Sequence, residues 1–242
     1  MMTLDEALHY IHAVCWKGSI PGLERITALL DAMGHPERKC KFVHVAGTNG
    51  KGSTCAMLAS IFQAAGYKTG LYTSPYIVEF GERIQVNGQM ISNDDICALT
   101  EYVKPFAESI FEQPTEFEMV TAIGFEYFAR QQCDIVVCEV GMGGEFDAPS
   151  VEAVFEERCK KVGAKLHKAN FDSIRLRSHG LEGQVFDCDG YEALELPLLG
   201  DHQLHNAAVV LTAVDALRTR GWKLPEEAVR KGLKDVKWPG RF

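Results

Sequence analysis

The sequence predicts an α/β protein, an open and mostly parallel sheet flanked by helices, with a phosphate-loop turn and a small antiparallel element after residue 170. Three observations predict it. An apolar run at 42–46 passes through a glycine-rich loop into a helical pattern that stops at Gly66. Two further apolar runs, 69–73 and 134–139, alternate with segments of helical periodicity. Beyond 170, short apolar segments are separated by Gly180, Gly183, Asp189 and Gly190.

The elements follow in order. Thr3-x-x-Glu6 is a capping box, with Leu4, Ala7, Leu8 and Ile11 on one helical face. A second short helix fits 22–33. Phe42-Val43-His44-Val45-Ala46 reads as a buried strand, 47–50 as a loop, and 51–65 as a helix with Met57, Leu58, Ile61 and Phe62 inward. The run 69–73 is a second strand, and 74–92 reads as irregular, with Asn87-Gly88 as a turn. Helices fit 93–112 and 116–130, a third strand 134–139, and a glycine-rich loop 140–148. A charged helix fits 151–163, and short antiparallel strands fit 174–177, 184–186 and 193–196. Helices at 201–220, with Ala207, Ala208, Leu211 and Val214 on one face, and at 225–234 complete the pattern. In a parallel sheet of this kind ligands bind beyond the carboxyl ends of the strands, so 47–53, 74–83 and 139–144 are expected to converge.

Composition narrows the function. The chain has 242 residues, a length that fits one large domain, 1–242, and a formal net charge of −8. That balance argues against a nucleic-acid backbone binder while leaving room for a small anionic ligand in a local positive pocket. No apolar run approaches the ~18 residues of a membrane span, and the acidic start, Met1-Met2-Thr3-Leu4-Asp5-Glu6, is not a secretory signal, so a cytoplasmic protein without a membrane partner is expected. The eight cysteines form no C-x-x-C pair and read as buried, reduced thiols.

The sharpest signal is Ala46-Gly47-Thr48-Asn49-Gly50-Lys51-Gly52-Ser53-Thr54, between a strand and a helix. Glycines let successive backbone N–H groups turn toward one anion, the helix N-terminus adds its dipole, and Lys51 supplies a charge for the β- and γ-phosphates. The strict G-x-x-x-x-G-K-S/T pattern fails twice: Val45 stands at the first glycine, and Gly52 follows Lys51. The strand before the loop and the helix after it supply the context the pattern lacks.

This loop resembles that of the folylpolyglutamate synthase/dihydrofolate synthase family, part of the Mur ligase superfamily of ATP-dependent amide-bond ligases. Further motifs resemble the same family in the same order. They are Thr73-Ser-Pro-Tyr with Phe80-Gly-Glu-Arg-Ile84, Phe117-Glu118-Met-Val-Thr121, Glu139-Val-Gly-Met-Gly-Gly144, His202-Gln203-x-x-Asn206-Ala207, and Trp238-Pro-Gly-Arg241. The resemblance implies the Mur ligase central-domain fold and a ligase that joins L-glutamate to a folate or dihydropteroate carboxylate through an acyl phosphate. It implies ATP and Mg²⁺ as cofactors, with Gly47, Thr48, Asn49, Gly50, Lys51, Gly52, Ser53 and Thr54 around the phosphates and Lys51 catalytic. It places Asn206 at the adenine, Arg241 at a phosphate, and Ser74 and Glu139 on the metal. Tyr76, Phe80 and Arg83 are the expected pterin contacts, an aromatic-plus-arginine set suited to a flat ring carrying a carboxylate. A monomer acting on small molecules, with no nucleic-acid partner, is expected.

Three departures from the family pattern stand out. Glu145 replaces an arginine of the family. At 148–149 the chain passes directly to a helix that in the family follows two further strands; no residue here matches the histidine and lysine those strands bring to the metal. The chain stops at Phe242, where the family's C-terminal domain would begin. An internally shortened ATP-binding domain that does not turn over alone is therefore expected. The alternatives are another Mur-type amino-acid ligase and a non-catalytic nucleotide-binding fragment.

Overall fold

The computed structural model describes residues 2–13, 22–141 and 152–239. Its larger sheet is built from β1 (Phe42–Val45), β2 (Thr69–Tyr72), β3 (Ile84–Val86), β4 (Gln89–Met90) and β5 (Ile135–Glu139), in the order β1-β5-β2-β3-β4. Backbone bonds from Val136 to the Lys41 carbonyl and from Val140 to the Val45 carbonyl keep one offset along the chain, so β1 and β5 run parallel. β3 returns antiparallel on β2, with Gly70 opposite Val86 and Tyr72 opposite Ile84, and β4 returns on β3. The mixed, helix-flanked sheet agrees with the class expected from sequence. The stretch 74–92 is not irregular throughout. A 3₁₀ turn at Phe80–Arg83 and the β3–β4 hairpin, turned at Asn87-Gly88, occupy its second half.

β1 corrects a second expectation. Phe42, Val43 and Val45 are half-buried and His44 is exposed. Among the described residues β1 ends the sheet order with β5 as its one neighbour, so an apolar run that reads as a core strand has only one covered side.

Residue contacts divide the chain into two units. The first comprises Met1–Val43 and Lys68–Val136. In it α1 (Leu4–His12), capped by Thr3 and Glu6, buries Ala7 and Ile11. α4 (Asn93–Ser109) and α5 (Glu116–Arg130) pack against it, and α2 (Glu24–Ala32) packs against those two. α4 stops at Ser109 rather than Glu112, because Ile110 turns extended at ψ 148°. α5 starts from a second capping box, Thr115 with Glu118, and Glu118 also accepts from Arg25 Nε at 3.1 Å. Thr121 bonds back to the Phe117 carbonyl and meets the Tyr72 hydroxyl at 3.0 Å.

The second unit comprises His44–Tyr67 and Val137–Phe242. Its centre is α3 (Lys51–Ala64), buried along Gly52–Ala59 and at Ile61 and Phe62. α7 (Asp201–Thr219) and α8 (Glu226–Asp235) pack against it. α8 approaches α3 closely at Gly232, where an added Cβ would lie 2.5 Å from Ile61 Cα. Backbone meets backbone there, so Gly232→Ala must push α8 off α3. Urea unfolding is expected to show a loss of roughly 1–3 kcal/mol or more, typical of overpacking.

The second sheet is antiparallel: β6 (Arg175–Gly180), β7 (Gly183–Cys188) and β8 (Tyr191–Leu196). These strands outrun the expected 174–177, 184–186 and 193–196, because the ladder carries pairing up to each turn. α6 (Glu152–Val162) precedes it. The described cysteines are free thiols: Cys55, Cys97, Cys133, Cys138 and Cys188 are buried, and Cys40 and Cys159 half-buried. Among the described residues no helix is long and apolar enough to cross a membrane.

Candidate functional site

The phosphate loop leaves β1 after Val45. Gly47 takes φ +149° and Gly50 φ +75°, conformations that residues with a side chain rarely adopt. Gly50 is the N-cap of α3, and no side chain caps the helix there. The first turn holds no acidic residue. The opening N–H groups of α3 are thus left to a ligand, and the helix dipole favours an anion. Lys51 folds back over its own loop, donating to the Gly47 carbonyl and to the Thr48 carbonyl at 3.1 Å. Thr48 and Asn49 are exposed, Gly50 and Lys51 half-buried, and Gly52, Ser53 and Thr54 buried in the helix start.

α7 closes the back of the loop. The Asn206 amide lies over Gly50, so that a Cβ built on Gly50 would fall 2.3 Å from its oxygen. Gln203, 2% exposed, donates to Ser53 Oγ at 3.2 Å and accepts from Asn206 Nδ2 at 3.1 Å. Gln203 belongs to the His202-Gln203-x-x-Asn206 motif, but the sequence assigns it no contact. The signal was in its position: it shares one helical face with Ala207, Val210 and Val214, all buried. A polar residue on that stripe must have a buried partner.

Glu139 ends β5 and is 3% exposed. Its charge registers on its neighbours. The Cys55 thiol is pushed well above its ordinary range by burial first, then by Glu139 and Cys138, with Lys51 opposing. Burial, then Glu139, pushes Cys138 up to about 12. Among the described residues no cluster of three or more His, Cys, Asp or Glu forms a metal cage. One buried carboxylate, whose charge is felt at the same Cys55 thiol as that of the phosphate-loop lysine, is instead the sparse donor set suited to Mg²⁺ carried by phosphates, and the open loop before α3 suits the phosphates themselves.

Ser74, Tyr76, Phe80 and Arg83 belong to the first unit. Ser74 and Tyr76 are half-buried, Phe80 and Arg83 buried. The Glu82 carboxylate shapes the loop by accepting from the amides of Ile77, Val78 and Glu79 at 2.7, 2.9 and 2.9 Å. The Arg83 guanidinium, 8% exposed, lies 5.2 Å from the Tyr76 ring centroid and 5.6 Å from that of Phe80. Its Nε and Nη1 have no hydrogen-bond acceptor, and Glu116 is 3.6 Å from Nη1. Arg241 and Glu145 lie outside the described residues.

Fold and loop together define a nucleotide-binding α/β protein of the phosphate-loop type. No protein-family model matches the chain. It is 35% identical to the dihydrofolate synthase/folylpolyglutamate synthase of Bacillus subtilis over 298 residues, 98% of this chain and 69% of that one. It is 31% identical to the folylpolyglutamate synthase of Lacticaseibacillus casei over 302 residues, 100% of this chain and 70% of that one. Among solved structures, the Thermotoga maritima folylpolyglutamate synthase superposes with a TM-score of 0.88 at 32% identity, covering 99% of this chain and 67% of that one. A folylpolyglutamate synthase complex with AMPPCP and folate superposes equally, at 0.88 and 29% identity, covering 99% and 73%. The chain belongs to the dihydrofolate synthase/folylpolyglutamate synthase family of ATP-dependent ligases. A match of 298 positions cannot be filled by 242 residues, so at least 56 positions of the Bacillus subtilis protein's matched stretch have no counterpart here.

Proposed function

We propose that this chain is an internally shortened ATP-binding domain, spanning 1–242, of a ligase that joins L-glutamate to a folate or dihydropteroate carboxylate. The observation that carries the nucleotide assignment is the uncapped α3 start with Lys51 folded over its loop. The N–H groups of 47–54 hold the phosphates, and Lys51 exchanges the Gly47 and Thr48 carbonyls for phosphate oxygens, with Arg241 as a second cation. Ser74 and Glu139 hold the metal, and Asn206 meets the adenine. Tyr76, with Phe80 behind it, offers an aromatic face to a pterin, and the two unaccepted N–H groups of Arg83 suit its carboxylate end. Bound Mg-ATP would supply the phosphoryl group that activates the carboxylate for attack by the glutamate amine. The protein works as a monomer on small molecules in the cytoplasm, without nucleic acid.

The missing positions favour a second statement, that the chain binds nucleotide without completing ligation alone. A thermal melt tests the binding. Mg-ATP at about 100 times its dissociation constant is expected to add roughly 2.7 kcal/mol of stability, and Lys51→Ala to abolish the response. An unresponsive parent would overturn the nucleotide assignment. ADP formation that requires both dihydropteroate and glutamate, lost in Lys51→Ala, would overturn the claim that the chain alone is inactive.

A further inference from the structure

Two thiols of the first unit meet where the larger sheet begins. Val136, in β5, donates to the Lys41 carbonyl at 2.8 Å, just ahead of β1. Cys40 directly precedes Lys41, and Cys133 stands two residues before β5. The parallel pairing brings the two cysteines alongside one another. The Cys133 backbone hydrogen-bonds the Cys40 sulfur, and because that bond favours the thiolate its donor is the Cys133 N–H. The Cys133 Cβ is two bonds from that nitrogen, so both side chains occupy one small space.

The two thiols are not equivalent. Cys40 is half-buried and lies in Arg38-Lys39-Cys40-Lys41, where Lys39 also favours its thiolate. Cys133 is 5% exposed, and it is lifted to about 12 by burial first and then by the Cys40 charge, with Lys68 opposing and Asp134 adding. A solvent-reached thiol beside a positive charge, with a buried thiol behind it, has the parts of a two-step redox pair: one sulfur attacks and the other resolves. Burial lifts Cys40 as well, so the exchange is slow at neutral pH and quickens as pH rises.

We propose that Cys40 and Cys133 form a redox-responsive dithiol that closes to an intramolecular disulfide, tying the start of β1 to the start of β5. The oxidant is a small-molecule disulfide such as oxidised glutathione. The Cys40 thiolate attacks one of its sulfurs, forms a mixed disulfide and expels one thiolate. Cys133 Sγ then attacks Cys40 Sγ and expels the second, which takes the Cys133 proton. Two protein thiols are oxidised, and one small-molecule disulfide is reduced to two thiols.

The test is treatment of the full chain with oxidised glutathione at about pH 8, quenched with acid and read by intact mass and by peptide mapping without reductant. The parent is expected to lose a pair of hydrogens, to retain no glutathione, and to yield a cross-linked peptide joining Cys40 to Cys133. Cys133→Ser is expected to stop at the mixed disulfide, with glutathione kept on Cys40, and Cys40→Ser to leave Cys133 reduced. A parent that keeps glutathione on Cys40, or a cross-link from either cysteine to a different one, overturns the proposal. So does a parent with both thiols still reduced when the same treatment in urea has consumed them, and so does a Cys40→Ser chain in which Cys133 is oxidised. If a serine variant does not melt cooperatively, the peptide map of the parent alone decides.

Discussion

Glu118→Ala is expected to destabilise the chain by roughly 3–5 kcal/mol, the usual cost of stripping one partner from a buried ion pair. Glu118 Oε2 accepts from the Thr115 amide at 2.7 Å, the Thr115 hydroxyl at 2.9 Å and Arg25 Nε at 3.1 Å. Arg25 is itself buried, and the Glu112 carboxylate, 3.7 Å from its Nη1, stands exposed. The Glu118 hydrogen bond is the largest influence raising the Arg25 pKa, so the cation is fully charged and cannot shed its proton to relieve the loss. Against a typical domain stability of about 5–15 kcal/mol the change is large. Glu118→Gln keeps an acceptor for the cap and should cost less than alanine. Denaturant unfolding of both variants decides the matter; an alanine loss below about 1 kcal/mol, the scale of an ordinary exposed pair, would show that Arg25 is satisfied elsewhere.

The second large effect is on ligand binding rather than folding. Gly50→Ala places a side chain at φ +75°, a strain of roughly 1–2 kcal/mol, and drives its Cβ into the Asn206 amide. The amide is the mobile end of a side chain and can yield, so the apo protein should still fold. Yielding removes Asn206 from its hydrogen bond to Gln203 and reshapes the loop beneath the phosphates. The melting shift produced by saturating Mg-ATP is expected to disappear. In a double-mutant cycle with Asn206→Ala, the two losses should be strongly non-additive, because the second change removes the group the first collides with. Full additivity would show that the collision is relieved without disturbing the loop.

What the sequence revealed about this site depended on how local each determinant is. The phosphate loop is legible because glycines, lysine and helix start are consecutive, and the backbone geometry they require needs no distant partner. The capping box of Thr115 and Glu118 is legible for the same reason. Its ion pair with Arg25, 93 residues away in sequence, is not. The hairpin of β3 and β4 was missed because strands of three and two residues are too short to show alternation. β1 was misjudged because an apolar run reports what a strand prefers, not how many neighbours cover it. Gln203 is legible as a motif residue and as a polar residue on an apolar stripe, yet Ser53 as its partner, 150 residues earlier, appears only in the fold.

The cysteines of this chain have a use beyond packing. Burial lifts Cys97 and Cys133 in the first unit and Cys55, Cys138 and Cys188 in the second, and each thiol stays almost wholly protonated at neutral pH. A protonated, enclosed thiol does not react with an alkylating reagent until its surroundings open. The protein therefore carries its own set of clocks, distributed over both units, and the labelling rate at each position times the local breathing of the helix or strand that holds it. Cys55, one turn into the helix that begins at the glycine-rich loop, is the clock set nearest that loop.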